Sequence, residues 1–267
     1  MMKKRSCHAL FLIVVAAIFI TLYLVTNSRS ALDKNKQTPE LLVLSGAGLI
    51  KPVEEIVKKF STNNGVVIKV KYGGSGELLG QLSLGNMGDV FIPGAEKYVY
   101  DAGKNGWIDE SSITKLVKHI PVIAVPFGNP KKINGIEDLA GEGVVLAIGD
   151  VDACAIGRIS KKIFKKSGLQ QKVAGNIKVS APTVNQLLMY VIMNQVDATI
   201  IWEDMVSWSE SRQKLSVVEI DQKSNIIKTI SAGVINNSPN AELSKKLVTF
   251  MKSPEGYEIW KKWGFKP

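Results

Sequence analysis

What most restricts the fold of this chain is a junction that recurs along it: a short β-branched or aliphatic run breaks at glycine and passes directly into an amphipathic helical pattern. Residues 41–44 (Leu-Leu-Val-Leu) read as a strand, Ser45-Gly46-Ala47-Gly48 as the turn. In the helix that follows, Pro52 suits the first turn, while Val53, Ile56, Val57 and Phe60 fall on one face. Residues 66–72 form the next predicted strand, Gly73-Gly74-Ser75-Gly76 turn it, and Leu78, Leu79 and Leu82 mark the helix beyond. Val90, Phe91 and Ile92 with Pro93-Gly94 repeat the junction a third time. Strands that alternate with helices in this way build layered α/β structure around largely parallel sheets.

A second unit of the same kind follows. Residues 121–126 are extended and Asn129-Pro130 turns the chain. Residues 144–148 read as a buried strand whose loop, 149–154, opens a helix with Ile159, Ile163 and Phe164 inward and Gly168 at its end. Residues 182–193 are helical by the spacing of Val184, Leu187, Leu188 and Val191, and 198–202 return as a strand. Residues 226–235 are extended again. Two helices close the chain at 241–251 and 255–262, with Pro254 in the first turn of the second.

Ahead of these units Met1 to Arg5 is basic and residues 9–25 are apolar apart from Thr21 and Tyr23. That pattern is an export signal, and its length leaves both removal and retention as an N-terminal anchor open. Ser28 and Ser30 before Ala31 offer a small-x-small cleavage site, and Cys7 precedes the apolar run, which argues against a lipoprotein. The expected division is residues 1–36 as signal or anchor plus spacer, 37–120 and 231–267 as one lobe, and 121–230 as the other. The formal charge of +10 is partly a property of the leader, since residues 1–36 hold 6 of the 34 Lys/Arg and 1 of the 24 Asp/Glu, leaving +5 for the rest. Those charges are scattered along helices without interleaved aromatics, so nucleic-acid binding has no support. Cys154 is the one cysteine after the leader, which excludes an intramolecular disulfide and a cysteine-based metal site there.

The order and spacing of five segments carry a resemblance. They are Ser45-Gly46-Ala47-Gly48-Leu49, Gly73-Gly74-Ser75-Gly76-Glu77-Leu78-Leu79, Gly88-Asp89-Val90-Phe91-Ile92, the loop 150–157, and Val196-Asp197-Ala198-Thr199-Ile200-Ile201-Trp202. Over residues 40–267 the chain resembles the periplasmic molybdate-binding proteins, type II solute receptors of ABC importers. The resemblance implies an α/β fold of two lobes joined by two hinge crossings, near 118–124 and 226–231, closing on a small oxyanion. It implies an exported, monomeric, non-enzymatic protein in the periplasm or at the outer face of the cytoplasmic membrane, without cofactor or metal. Its partners would be the oxyanion, molybdate or tungstate first and sulfate, phosphate or a metal species as alternatives, and an ABC permease. The membrane is a further partner if the leader is retained, and a sensor domain of the same fold is a further alternative.

The ligand positions that the resemblance carries over are Ser75, Val184 and the amides at Ala155 and Ile156. The family's first serine falls on Gly48, leaving Ser45 or the amides of Ala47 and Gly48 to substitute, and its tyrosine falls on Trp202. Physical chemistry gives the same picture independently, because strand-to-helix turns present unpaired N–H groups at positive helix ends, and a deprotonated oxyanion needs only donors. A helix-capping role is the plain alternative for Ser75 and Ser45. Asp152 and Glu203-Asp204 are expected to cap turns; turned inward, they would favour a cation. An enzyme built on Cys154 and His119, or on Ser75 as a nucleophile, lacks supporting spacing: Gly73-Gly74-Ser75-Gly76-Glu77 is not Gly-x-Ser-x-Gly, and no Gly-Lys-Ser/Thr follows the glycines.

Overall fold

The structure is a computed structural model that describes Ile18, Thr21 and residues 38–85 and 87–266. The expected leader and its cleavage site at Ser28 to Ala31 lie outside the described residues apart from Ile18 and Thr21. Among the described residues no helix is long and apolar enough to cross a membrane.

Residues from 40 onward form one compact unit that contains two five-stranded sheets. The first takes β1 (Glu40–Gly46), β2 (Val67–Gly73), β3 (Val90–Ile92), β4 (Thr114–His119) and β10 (Lys228–Val234), in the order β2-β1-β3-β10-β4. The second takes β5 (Pro121–Pro126), β6 (Leu146–Gly149), β7 (Ile177–Ala181), β8 (Ala198–Trp202) and β9 (Leu215–Val218), in the order β7-β6-β8-β5-β9. Each sheet is a parallel trio followed by two antiparallel strands. The chain passes from the first sheet to the second at Ile120 and returns between β9 and β10. Residues 228–230, read from sequence as part of the second lobe, therefore pair within the first sheet, Lys228 opposite His119.

The glycine junctions fold as expected. After β1 a 3-10 turn (Ala47–Leu49) leads into α1 (Ile50–Asn64), which buries Val53, Ile56, Val57 and Phe60 and ends on Gly65 in the left-handed region. β2 leads into α2 (Ser75–Ser83) and β3 into α3 (Glu96–Lys104). In the second lobe β6 leads into α4 (Ala155–Lys166), followed by α5 (Gln170–Ala174), and β7 into α6 (Val184–Ile192). α7 (Ala241–Lys252) and α8 (Pro254–Lys262) return to the first lobe. There they close a core of Leu41, Val43, Ile56, Phe60, Leu247 and Trp260. A second apolar cluster runs from Leu44, Leu78 and Phe91 through Ala155 and Ile156 to Leu187 and Ile200, so it is continuous across the gap between the sheets. Apolar surface from both lobes is thus removed from water at their contact, which favours the closed arrangement.

Candidate functional site

The strand ends that turn into helices all point to one place. Gly46, Ala47 and Gly48 after β1, Gly73, Gly74 and Ser75 after β2, and Gly94 after β3 line one side of a pocket. Cys154, Ala155 and Ile156 at the start of α4, Thr183 and Val184 at the start of α6, and Trp202 at the end of β8 line the other. His119, at the first crossing, completes it. The pocket holds about 20 Å³, roughly the space of one water molecule. A tetrahedral oxyanion therefore enters only if the lobes part and reclose around it.

Of the positions named from sequence, Ala47, Gly48, Ser75, Ala155, Ile156, Val184 and Trp202 come together here. Ser45 is fully buried within β1, its hydroxyl turned 3.5 Å from the Gly46 carbonyl, and lies outside the pocket lining. Two helix starts are left without a side-chain cap: the N-cap of α2 is Gly74 and that of α4 is Cys154, and neither makes one. Their first-turn N–H groups have no carbonyl one turn back to bond. Of the three helices that begin at the pocket only α6 is capped, Thr183 Oγ1 accepting from Gln186 N–H at 3.4 Å.

Ser75 does not act as the cap of its helix. Its Oγ accepts from the Gly94 N–H at 2.9 Å, which leaves the hydroxyl hydrogen free to donate. The Gly94 carbonyl lies 2.8 Å from His119 Nδ1. Since a carbonyl only accepts, Nδ1 carries a proton and donates it. On its other edge His119 Nε2 sits 3.2 Å from Asp204 Oδ1, at an angle outside that of a good hydrogen bond. The imidazole ring stacks on the Trp202 indole, centroids 3.7 Å apart. Asp204 is fully enclosed, and burial raises its carboxyl above the ordinary range against the opposing pull of His119. A relay thus runs from Asp204 through His119 and the Gly94 peptide to Ser75, joining the second lobe to the first.

Several sequence expectations are corrected here. Asp152 does not cap α4: its side chain is exposed, 3.5 Å from Arg158, while Asp150 Oδ1 accepts from the Asp152 and Ala153 N–H groups at 2.8 Å each. Glu203 pairs with Lys266 at 2.9 Å and Asp204 backs His119, so neither caps the turn after β8. None of these carboxylates lines the pocket, and neither Lys nor Arg does. His119 and Cys154 both line the pocket, although sequence spacing gave no sign of it. Burial pushes the Cys154 thiol up to about 11, so it is a packed neutral thiol and not a nucleophile. The described residues contain no cluster of His, Cys, Asp or Glu suited to a metal. Sequence reasoning passed over His119, Gly73, Gly74, Gly94 and Thr183 as pocket residues. The Pro93-Gly94 turn, third in the series of junctions, was the signal for Gly94.

The lobes approach closely enough that side chains at two glycines would collide. A Cβ on Gly76 would stand 1.6 Å from the Asp152 carbonyl oxygen, and one on Gly74 would stand 2.4 Å from that of Ala153. Gly76 N–H donates to the Ala153 carbonyl at 2.8 Å across the gap, and Lys51 of α1 pairs with Glu210 at 2.7 Å.

Residues 41–266 match the family described as bacterial extracellular solute-binding protein. A Haemophilus influenzae protein named only as a binding protein is 32% identical over 231 residues, 86% of this chain and 92% of that one. The molybdate-binding protein ModA of Mycobacterium tuberculosis is 24% identical over 227 residues, 84% of each chain. Among solved structures, the sulfate-binding protein SubI of the same organism superposes with a TM-score of 0.77 at 14% identity, covering 86% of this chain and 87% of its own. Its two-lobed fold, its cleft and the match over residues 41–266 make this chain a member of the bacterial extracellular solute-binding protein family, a receptor and not an enzyme.

Proposed function

We propose that this protein captures a fully deprotonated tetrahedral oxyanion, molybdate or tungstate first, and presents it to the permease of an ABC importer. It would do so as a monomer in the periplasm or at the outer face of the cytoplasmic membrane, its N-terminal segment removed or kept as an anchor. The carrying observation is the convergence of uncapped helix starts and the free Ser75 hydroxyl on a pocket without carboxylates. The amides of Ala47, Gly48, Ala155, Ile156 and Val184, the Ser75 hydroxyl and the Trp202 indole N–H supply donors. Helix-end partial charges offset the dianion without a buried cation.

A donor-only lining discriminates among oxyanions. Molybdate, tungstate and sulfate carry no proton near neutral pH, whereas hydrogen phosphate brings a donor that needs an acceptor. The ModA likeness favours molybdate. Sulfate is the second reading, favoured by Gly48 and Trp202, where the molybdate receptors that this chain resembles have hydroxyls. A thermal-shift panel on the full-length protein with molybdate, tungstate, sulfate, phosphate and divalent metals decides between them, since a ligand of the folded state raises its stability. The expected order is molybdate and tungstate first, then sulfate, with phosphate weak. A shift with metals alone would overturn the oxyanion reading.

A further inference from the structure

Past Ala155 the gap between the lobes widens into a second chamber of about 390 Å³. One wall is α3 with Lys115 of β4 and Lys228 of β10; the other is α4, with Arg158 and Lys162 at its surface and the buried Ile159 beneath them. Ala155 and Tyr98 form the floor. The lining holds one carboxylate, Glu96, which lies 4.0 Å from Lys115, and Lys97 is taken by Asp101. Among the described residues Lys162 and Lys228 have no ion-pair partner. The one carboxylate near Arg158 is the 91%-exposed side chain of Asp152 at 3.5 Å.

Two buried polar atoms in this lining have no hydrogen-bond partner. Tyr98 is 3% exposed and its hydroxyl makes no hydrogen bond of good geometry; Arg158, whose guanidinium stands 5.8 Å from the Tyr98 ring and acts on the phenol, has an Nε that makes none either. Buried donors are nearly always satisfied, so two orphans beside one cationic chamber call for an acceptor. An arginine fork matches the paired oxygens of a carboxylate or phosphate, and lysines at the mouth add charge with little demand on geometry.

We propose that this chamber is a second anion site, distinct from the small pocket, for an organic anion with two or more carboxylate or phosphate charges on a partly apolar body. The charges meet Arg158, Lys162 and Lys228; the body lies over Tyr98 and Ile159. Because its walls belong to different lobes, occupancy favours their closed arrangement.

The test is calorimetric titration of the full-length protein with citrate in one arm and phenyl phosphate in the other, each repeated with saturating molybdate and with sulfate. At least one probe is expected to bind with Kd of about 1 mM or tighter, displaced by neither inorganic anion and bound at least as tightly in its presence, since both ligands favour the closed lobes. Arg158→Gln is expected to weaken it roughly ten-fold and Tyr98→Phe a few-fold, while Ser75→Ala leaves it unchanged. Should Arg158→Gln fail to fold, Lys162→Gln and Lys228→Gln carry the same test with smaller losses. Which probe binds identifies carboxylate or phosphate chemistry. Binding of neither probe overturns the proposal, as does binding indifferent to these variants, or loss of the probe to sulfate, molybdate or Ser75→Ala. A failure of molybdate to bind the small pocket bears on the oxyanion reading alone, because the chamber is titrated without it as well.

Discussion

The small pocket is lined by five glycines, one serine and the starts of three helices, with no Lys or Arg, whereas the chamber beyond Ala155 gathers Lys115, Arg158, Lys162 and Lys228. The two lie in the same cleft and share Ala155, yet the first holds negative charge with fixed dipoles and the second with mobile cations. Amides at a helix start cannot swing to follow a misfit ligand, so they select shape and protonation state. Lysines on long side chains tolerate many ligands and are screened by salt. The glycines are what make the first arrangement possible, because only a backbone without Cβ lets three turns meet within one water's width of each other.

The largest effect is expected from a single carbon added at the seam between the lobes. Gly76 occupies the first turn of α2, where alanine is a better helix former than glycine by about 1 kcal/mol, so Gly76→Ala should leave its own lobe intact. Its Cβ would stand 1.6 Å from the Asp152 carbonyl oxygen, so closure should fail. The expected result is an affinity loss of more than about a hundred-fold, with small-angle scattering showing no compaction on addition of molybdate. Compaction with native affinity would mean that the seam yields and that the glycines are not required for closure.

Ser75→Ala removes the one pocket hydroxyl that caps no helix, Thr183 being the cap of α6 and the cap position of α2 belonging to Gly74. Loss of a hydrogen bond to a charged group is worth about 1.5–3 kcal/mol, or roughly ten-fold to a hundred-fold in affinity. The variant also orphans the buried Gly94 N–H that Ser75 Oγ accepts. Stability should therefore fall by about 1–3 kcal/mol, and affinity has to be measured well below the new midpoint. Unchanged affinity in folded protein would confine Ser75 to holding Gly94.

How much of this was visible in the sequence depends on distance along the chain. The junctions after β1, β2 and β3 were legible because a strand, its glycine turn and its helix lie within a dozen residues, and the periodicity changes from two to 3.6 inside that window. Ser75 was found because it sits at the second of those junctions, whereas Val184 and Trp202 came only from the family resemblance. The relay was not legible: Gly94 and His119 meet only through the pairing of β3 and β4 with β10, and Asp204 joins them only through the pairing of β5 with β8, and no local pattern encodes that. Asp152 was read as a cap because it closely precedes α4, and only backbone geometry shows that Asp150 instead accepts from the amides of that loop. The chamber escaped for a similar reason, since Arg158 and Lys162 look like the solvated side of an amphipathic helix until α3 is set opposite.

A pH titration sharpens the contrast between fixed dipoles and titratable groups. Asp204 is the pocket's hidden ionisable support, and burial raises its carboxyl above the 3.8 of a free aspartate. A raised carboxyl binds its proton more tightly in the folded state than in the unfolded one. Its contribution is therefore fully present at pH below 3.8 and is lost as pH rises through the elevated value in the fold. The other charges nearby, Glu203 with Lys266, are already paired at 2.9 Å. Asp204→Asn keeps a neutral donor toward His119 Nε2 and cannot ionise. Thermal midpoints across pH should decline less steeply on the alkaline side for Asp204→Asn than for the native chain. Parallel curves would show that Asp204 stays in one protonation state throughout.

The mildest expected change is at Trp202, which borders the pocket and stacks on His119 at once. Trp202→Phe keeps an aromatic face for the imidazole but removes the indole N–H and part of a 2%-exposed side chain. If the N–H donates to the anion, affinity should fall by about 1 kcal/mol, a several-fold effect, and native tryptophan fluorescence should respond to molybdate. If the indole serves mainly as a wall, the loss should appear in the denaturation midpoint, because a smaller ring leaves a cavity where His119 is held. Measured on one variant, the two readouts separate donation from packing. The small size of the pocket favours a loss in both, since a displaced His119 loosens the Gly94 carbonyl and with it the acceptor role that fixes Ser75.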